Sequence, residues 1–451
     1  MTLTTPGQSN SASSRHPASA NRRQTVHQSR QPADLTDCNR SSAPELLAPA
    51  GNPEKLKVAV HYGADAVYLG GSRYSLRAHA GNFSDEQLQE AVTFAHGAGV
   101  RVYVAVNIFA HQDDLVGLED YLCFLRRIEA DGLIIADPGV LAVARRVVPE
   151  LPVHLSTQAN VTNPESAAFW EACGVSRINP ARELSLAEIT GLRERVRAEL
   201  EIFVHGALCI SYSGRCFLSL YLTGRDANRG ECSHPCRYLY RLEEEKRPGR
   251  FYPIEEDHRG SYIFNAKDLC LLHRLPELIR AGADALKIEG RMKSLFYVGT
   301  VVRLYRAALD FWGDHGLGTP LPAEFAAELA RLGGRGQSEN FLDHPPGPPD
   351  MLYDGTTVNP HWAPAAIVRE GGAAPLVEAR NPFQRGDTIE FLGRGLTNIP
   401  CRVMVMHDQS GREVERANPN SLLRLNLDPA GDYPRHGLFR QGTGNSARRT
   451  R

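Results

Sequence analysis

Nowhere does the sequence hold a run of about 20 consecutive apolar residues, so it offers no membrane-spanning helix. Residues 1–43 also lack the apolar stretch of a secretory signal, and a soluble, cytoplasmic protein without membrane partners is expected. Net charge is missing too. The 51 Lys and Arg against 52 Asp and Glu leave a formal −1, which draws no polyanion to the molecule as a whole. RNA binding would have to come from a local basic face or from the tails. A disulfide framework is absent as well: nine cysteines are an odd number, and Cys38, Cys123, Cys173, Cys270 and Cys401 are scattered. Neither H-E-x-x-H nor G-x-S-x-G occurs, which removes the common metalloprotease and serine-hydrolase signatures.

What is present is enough apolar sequence, 42% of 451 residues, to bury one large core and a smaller one. Residues 1–43 carry five arginines and two aspartates among Ser, Gln and Asn, and too few apolar groups to offset the entropy of ordering. They are expected to be disordered; the Arg-rich, acid-poor composition also fits a transit peptide, though without an amphipathic pattern. Across residues 44–342, short apolar runs alternate with helical patterns, the sign of βα units around a parallel sheet. The expected strands are Leu46–Ala48, Ala66–Leu69, Val102–Val106, Leu133–Ala136, Val153–Leu155, Arg177–Asn179, Glu201–Val204 and Ala285–Ile288. Eight strands close a barrel, and an open doubly wound sheet would show a similar pattern. Ser84 before Gln87 and Ser185 before Glu188 read as capping boxes that fix two helix starts.

A helix near Ser294–Trp312 is followed by a Pro-rich linker at 343–361. Beyond it, Ala365–Arg369, Leu376–Ala379, Thr388–Leu392 and Cys401–Met406 predict a small all-β domain over 362–440, ahead of a basic tail at 441–451. The fold class read from these patterns is α/β: a (βα)8 TIM-like barrel with a small C-terminal all-β domain.

In a parallel barrel, function gathers where strands end and loops begin. The polar residues at those ends are Asn107, Asp137, Gln158, Arg182, Glu183, His205 and Glu289, expected to project toward one mouth, although loop residues are polar in any case. In Lys287-Ile288-Glu289-Gly290-Arg291 the odd positions share a face of the strand and point into the barrel. Alternating charges there must be paired or used. His205, Lys287 and Glu289 are the candidate catalytic residues, and Arg291 can hold a carboxylate or phosphate in bidentate fashion.

The sharpest signal is Cys209-x6-Cys216-x15-Cys232-x3-Cys236, directly after the seventh strand. Four thiolates can enclose a tetrahedral zinc or an iron-sulfur cluster. Only the second pair has the tight spacing usual for zinc, so the spread favours the cluster. Cys270 is a further candidate, more simply read as a core thiol. Arg215 can neutralise thiolate charge or meet substrate.

The stretch Glu201–Ser219, E-I-F-V-H-G-A-L-C-I-S-Y-S-G-R-C-F-L-S, resembles the signature E-x-F-x-x-G-A-L-C-x4-G-x-C-x-L-S of the U32 peptidase family. The resemblance extends through E-L-L-A-P-A-G-N, G-A-D-A-V-Y, R-Y-S-L-R, H-L-S-T-Q-A-N, A-R-E-L-S-L, F-N-A-K-D-L and L-K-I-E-G-R-M-K-S. The Cys232–Cys236 spacing and R-N-P-F-Q-R-G-D-T-I-E-F-L in the tail are most similar to the family's tRNA-hydroxylating branch. The resemblance implies oxygen-independent 5-hydroxylation of a wobble uridine in tRNA. Prephenate, a small dicarboxylate cosubstrate, and a 4Fe–4S cluster in the barrel are implied with it. A two-carboxylate cosubstrate would want at least two arginines near one another, drawn from Arg73, Arg77, Arg182 and Arg291. An electron or oxygen-atom source would have to be supplied from elsewhere. The alternatives are a collagenase-like peptidase, hydroxylation of ribosomal RNA or a ubiquinone precursor as in sister branches, and a non-catalytic cluster-bearing partner in a hydroxylase complex. The N-terminal extension and a shorter insertion after Cys236 depart from the family pattern.

Overall fold

The computed structural model describes residues 43–75, 82–208, 216, 218–225, 227, 232–233, 235, 267–334, 336–344 and 362–443. Four two-residue strands between 242 and 261 are described by their backbone only. The expectations for residues 1–42, for most of the linker and for the last eight residues lie outside the described residues.

Eight parallel strands close a barrel: β1 (Glu45–Pro49), β2 (Ala66–Gly70), β3 (Arg101–Val106), β4 (Gly132–Ile135), β5 (Val153–Leu155), β6 (Arg177–Ile178), β7 (Glu199–Gly206) and β8 (Ala285–Ile288). Closure is the parallel pairing of β8 with both β1 and β7. β1 and β2 are buried at every position because helices cover their outer face. The main core therefore lies between strands and helices, where Leu46, Val67, Val104, Ile135, Leu200 and Leu286 meet residues such as Leu88, Leu122 and Leu192.

Local chemistry sets the helix starts. Asn52, Asp137 and Asn163 cap α1 (Pro53–His61), α4 (Pro138–Val147) and α5 (Pro164–Ala172), each with proline in the first turn where no amide donor is needed. Both expected capping boxes form, at Ser84 for α2 (Asp85–His96) and at Ser185 for α6 (Leu186–Arg195). The outer ring also holds α3 (Leu118–Arg127), α8 (Leu275–Arg280) and α9 (Leu295–His315), the last of these capped by Ser294, while α7 (Leu218–Thr223) follows β7 in the cysteine-bearing segment. An antiparallel segment, Asp268–Cys270, lies along the mouth end of β7. Among the described residues no helix is long and apolar enough to cross a membrane.

The C-terminal region is a closed antiparallel barrel of six strands: Trp362–Glu370, Leu376–Ala379, Thr388–Leu392, Asn398–His407, Leu422–Asp428 and Leu438–Gly442. The last two exceed the runs read from sequence, although Leu422–Asp428 alternates buried and exposed positions cleanly. This small barrel docks on α1, α9 and α10 (Ala323–Ala330). Arg303 of α9 donates to Gly395 O and Asn398 Oδ1 at 2.6 Å, and Arg440 binds Glu328 of α10 at 2.6 and 2.9 Å.

Candidate active site

Inward-facing positions of the large barrel carry charge from one end to the other. At the amino-terminal end Arg177 bonds Glu45 at 2.6 Å and Glu199 at 2.7 Å, and Tyr103 donates to Glu45 at 2.9 Å. One layer up, Lys287 Nζ sits 2.7 Å from Glu201 Oε1, which also accepts from Asn179 at 2.9 Å. The ammonium lies over the Tyr68 ring at 4.5 Å and the Phe203 ring at 5.3 Å. Burial alone would push the Glu201 carboxyl up, but Lys287 and Arg177 more than offset it and hold it at about 2. Lys287 is thus the counter-charge of a buried carboxylate.

Glu289 and Arg291 continue the same face of β8 to the mouth. The Tyr68 hydroxyl donates to Ile288 O at 3.0 Å and lies 3.4 Å from Glu289 Oε2. Arg291, 4% exposed, donates to Ser75 Oγ at 3.0 Å and Asn82 Oδ1 at 2.8 Å, while its carbonyl accepts from Lys55 Nζ at 3.0 Å. The neighbouring chain approaches this segment closely. A Cβ on Gly51 would stand 2.1 Å from Arg291 O, and Gly206, at φ +116°, has room for none beside Glu289 O at 2.4 Å. Arg182 stacks on Phe203 at 4.0 Å and donates to Ala207 O at 2.8 Å, so it reaches the mouth from the β6 side. Asn107 and Gln158 complete the rim through a 2.7 Å hydrogen bond.

Other expectations resolve differently. His205 does not project into the mouth. The β7–β8 register runs from Lys287↔Phe203 to Ile288↔His205, stepping over Val204, and this bulge turns the ring outward to α9. There Nδ1 is 3.2 Å from the Tyr305 hydroxyl, and burial, opposed by Asp268, holds the imidazole neutral down to about 4. Asp137 caps α4 through Gly139 and Val140 amides and is occupied structurally. Arg73 is exposed, pairs with Asp85 at 3.0 Å and lies over Tyr121 at 5.0 Å. Arg77 lies outside the described residues. Cys270 is a buried strand residue 3.9 Å from the Tyr305 hydroxyl, a core thiol.

Of the four clustered cysteines, Cys209 and Cys236 lie outside the described residues, while Cys216 and Cys232 are half-buried. The two stretches holding them are tied together. Ser219 Oγ accepts from Ser233 N at 3.0 Å, the two hydroxyls are 3.0 Å apart, and Thr223 joins Ser233 at 2.8 Å. Cys216 stands three residues before one end of this tie and Cys232 one before the other. Sequence reasoning passed over Tyr68, Asn179, Glu201 and Arg177. The period-two rule it applied to β8 points to Glu201 on β7 and Arg177 on β6 as well.

A closed (βα)8 barrel with charged and aromatic groups converging at its carboxyl-terminal mouth defines the class: an α/β-barrel protein with an enzyme-type site. The chain belongs to peptidase family U32, whose family model matches residues 51–351, while 365–435 match the family's C-terminal domain. It is 40% identical over 389 residues to tRNA hydroxylation protein P1 of Bacillus subtilis, covering 85% of this chain and 92% of that one. It is 36% identical over 392 residues to tRNA hydroxylation protein P of Escherichia coli, covering 77% and 86%. With the Escherichia coli 23S rRNA 5-hydroxycytidine synthase it shares 38% over 266 residues, covering 59% of this chain and 39% of that one.

Proposed function

We propose that the chain is a cytoplasmic RNA hydroxylase that places a hydroxyl on C5 of the wobble uridine of tRNA, with prephenate as cosubstrate. The observation that carries this reading is the 40% identity to a tRNA hydroxylation protein over 92% of that protein's length. The rRNA hydroxycytidine synthase matches over only 39% of its own length, which favours tRNA as the substrate.

Replacing C5–H by C5–OH adds one oxygen and removes two electrons from the base, so the site must seat an oxygen source beside the uridine. In this reading Arg291 and Arg182 bind the anionic cosubstrate from the β8 and β6 sides of the mouth, one strand apart. Arg291 donates to Ser75 and Asn82, and its planar guanidinium has the forked geometry that orients a carboxylate. Glu289, buried beside the Tyr68 hydroxyl, is assigned the movement of the C5 proton. Lys287 and His205 serve the architecture, as counter-charge and as packed neutral ring. Cys209, Cys216, Cys232 and Cys236 would hold a 4Fe–4S cluster, and the Ser219–Ser233 tie between the described pair fits that role. The cluster supplies one-electron chemistry when bound.

Two measurements test this. Anaerobically purified protein should contain about four irons with matching sulfide, lost in Cys232→Ala; one zinc and no sulfide would overturn the cluster. tRNA from a deletion strain should lack the 5-hydroxyuridine-derived nucleoside and regain it with wild type but not with Arg291→Ala. Unchanged nucleosides, or cleavage of a defined peptide by metal-free protein, would overturn the hydroxylase.

A further inference from the structure

The seam between α1 and the small barrel gathers cations that nothing in the reaction uses. Tyr62, the first residue beyond α1, is buried; its hydroxyl donates to Leu392 O at 2.9 Å and accepts from Leu438 N at 3.0 Å. The end of α1 is thereby pinned between two strands of the small barrel. Arg394 follows Leu392 by two residues and His436 precedes Leu438 by two, and both act on His61, while Arg435 and Lys57 act on His436. From α2, Phe94 meets the His436 ring edge-on at 6.1 Å and carries Lys57 Nζ at 5.6 Å.

Arg394 and Arg435 are exposed and Lys57 is half-buried. None of the three has a carboxylate partner among the described residues. Glu54, one turn before Lys57, is taken by Arg369 and Arg380. On α2, Glu90 and Glu86 stand one and two turns back from Phe94, toward the start of that helix. His436 holds a left-handed backbone, φ +71°, fixed by its amide donating to Val368 O at 2.9 Å. Both histidines are kept neutral, first by burial and then by the cations around them.

We propose that this seam, with Lys57, Arg394, Arg435 and His436 at its centre, is a docking surface for the phosphate backbone of the RNA substrate. The proposal rests on the tRNA reading and adds to it where the RNA body lies. A chain of net charge −1 needs a local basic face to hold a polyanion. α1 links this face to the mouth, since Lys55 touches Arg291 O, and Lys55 and His61 are separated by only about 9 Å at 1.5 Å rise per residue. An RNA loop at the mouth would lay its adjoining stem along the seam.

The test uses the full chain with its metal content verified, comparing wild type with Lys57→Glu/Arg394→Glu/Arg435→Glu and with the charge-keeping Lys57→Arg/Arg394→Lys/Arg435→Lys. Binding of an unmodified tRNA transcript is measured across a salt series. The reversed variant should bind at least about tenfold more weakly, with the log–log salt slope smaller by about two to three, while the charge-keeping variant follows wild type. Equal affinity and slope in wild type and the reversed variant would overturn the seam while leaving hydroxylation intact. Wild type that binds tRNA through the seam yet yields no hydroxylated nucleoside would overturn the hydroxylase reading alone. Wild type that binds no tRNA would overturn both.

Discussion

The two barrels of this chain are filled in opposite ways. The large one keeps charge inside: Glu45, Arg177, Glu201 and Lys287 line its axis beside a small set of apolar and aromatic groups, Leu47, Tyr68, Tyr103 and Ile134, while the main apolar core lies outside, beneath the helices. The small one has an apolar interior of Val377, Ile389, Cys401, Val403, Leu423, Leu425 and Phe439, with polar residues turned out. Cover explains the difference. A strand with a helix on its outer face can place its apolar residues there and leave the inner face for charge. The small barrel has no helical ring, so its strands must alternate and its interior must be dry. The uncommitted inner face is what makes the large barrel able to host chemistry at its mouth.

The contrast breaks first at Lys287. Lys287→Ala leaves Glu201 buried beside Arg177 alone and should cost about 3–5 kcal/mol in denaturant unfolding, the usual penalty for removing one partner of a buried pair. Glu201→Leu/Lys287→Met, which removes both charges and keeps volume, should recover most of that loss. In the small barrel Leu425→Ala should cost about 2–5 kcal/mol through the cavity it leaves, and no second substitution of charge type should restore it. A harmless Lys287→Ala would mean that the barrel axis is wet and the two interiors differ less than their packing indicates.

Acid should separate the barrels next. Glu201 is held at about 2 in the folded chain, below its ordinary value near 4.5, so its contribution is complete above that value and is lost as pH falls toward 2. His154 and His205 are held at about 3 and about 4 by burial, so between pH 6.5 and those values the unfolded chain binds protons the folded one does not. Stability should therefore fall as pH drops below 6.5, by about 1.4 kcal/mol for each pKa unit of a fully coupled group. In the small barrel His436 is held low in the same way, but it stands at the seam and not in the apolar interior. Hydrogen exchange at pH 7 and pH 4 should show β1 and β7 losing protection before Leu422–Asp428 does; simultaneous loss would show that the domains unfold as one.

Much of the large barrel was legible because its signals are local. All eight strands fall where short apolar runs stand, and Ser84, Ser185 and Ser294 mark helix starts by their own side chains. The inward set Lys287, Glu289 and Arg291 follows from period two alone. What was not legible is non-local. Nothing near Lys287 says that its partner is Glu201, 86 residues away. The bulge that steps over Val204 leaves no single-residue mark, so His205 was read one face wrong. Leu422–Asp428 carries the apolar–polar alternation of a strand and was passed over, whereas in Leu438–Gly442 the first three positions are all buried, Arg440 against Glu328 of α10, so no local alternation marks it.

The smallest expected effect lies where the two barrels meet. Tyr62→Phe removes a hydroxyl that serves two buried backbone groups of the small barrel, Leu392 O and Leu438 N, without emptying the ring's place in the core. An unsatisfied buried amide costs about 1–3 kcal/mol, so a loss near the lower end is expected, because the apolar contacts of the ring persist. The site of that loss matters more than its size. The hydroxyl holds neither interior together, and both barrels should keep their own hydrogen-exchange protection while the seam residues around Arg394 and His436 exchange faster. If the loss instead spreads evenly through β1 and β2, the seam is part of the large barrel's folding unit, and the division between a charged interior and a dry one does not mark two independently stable bodies.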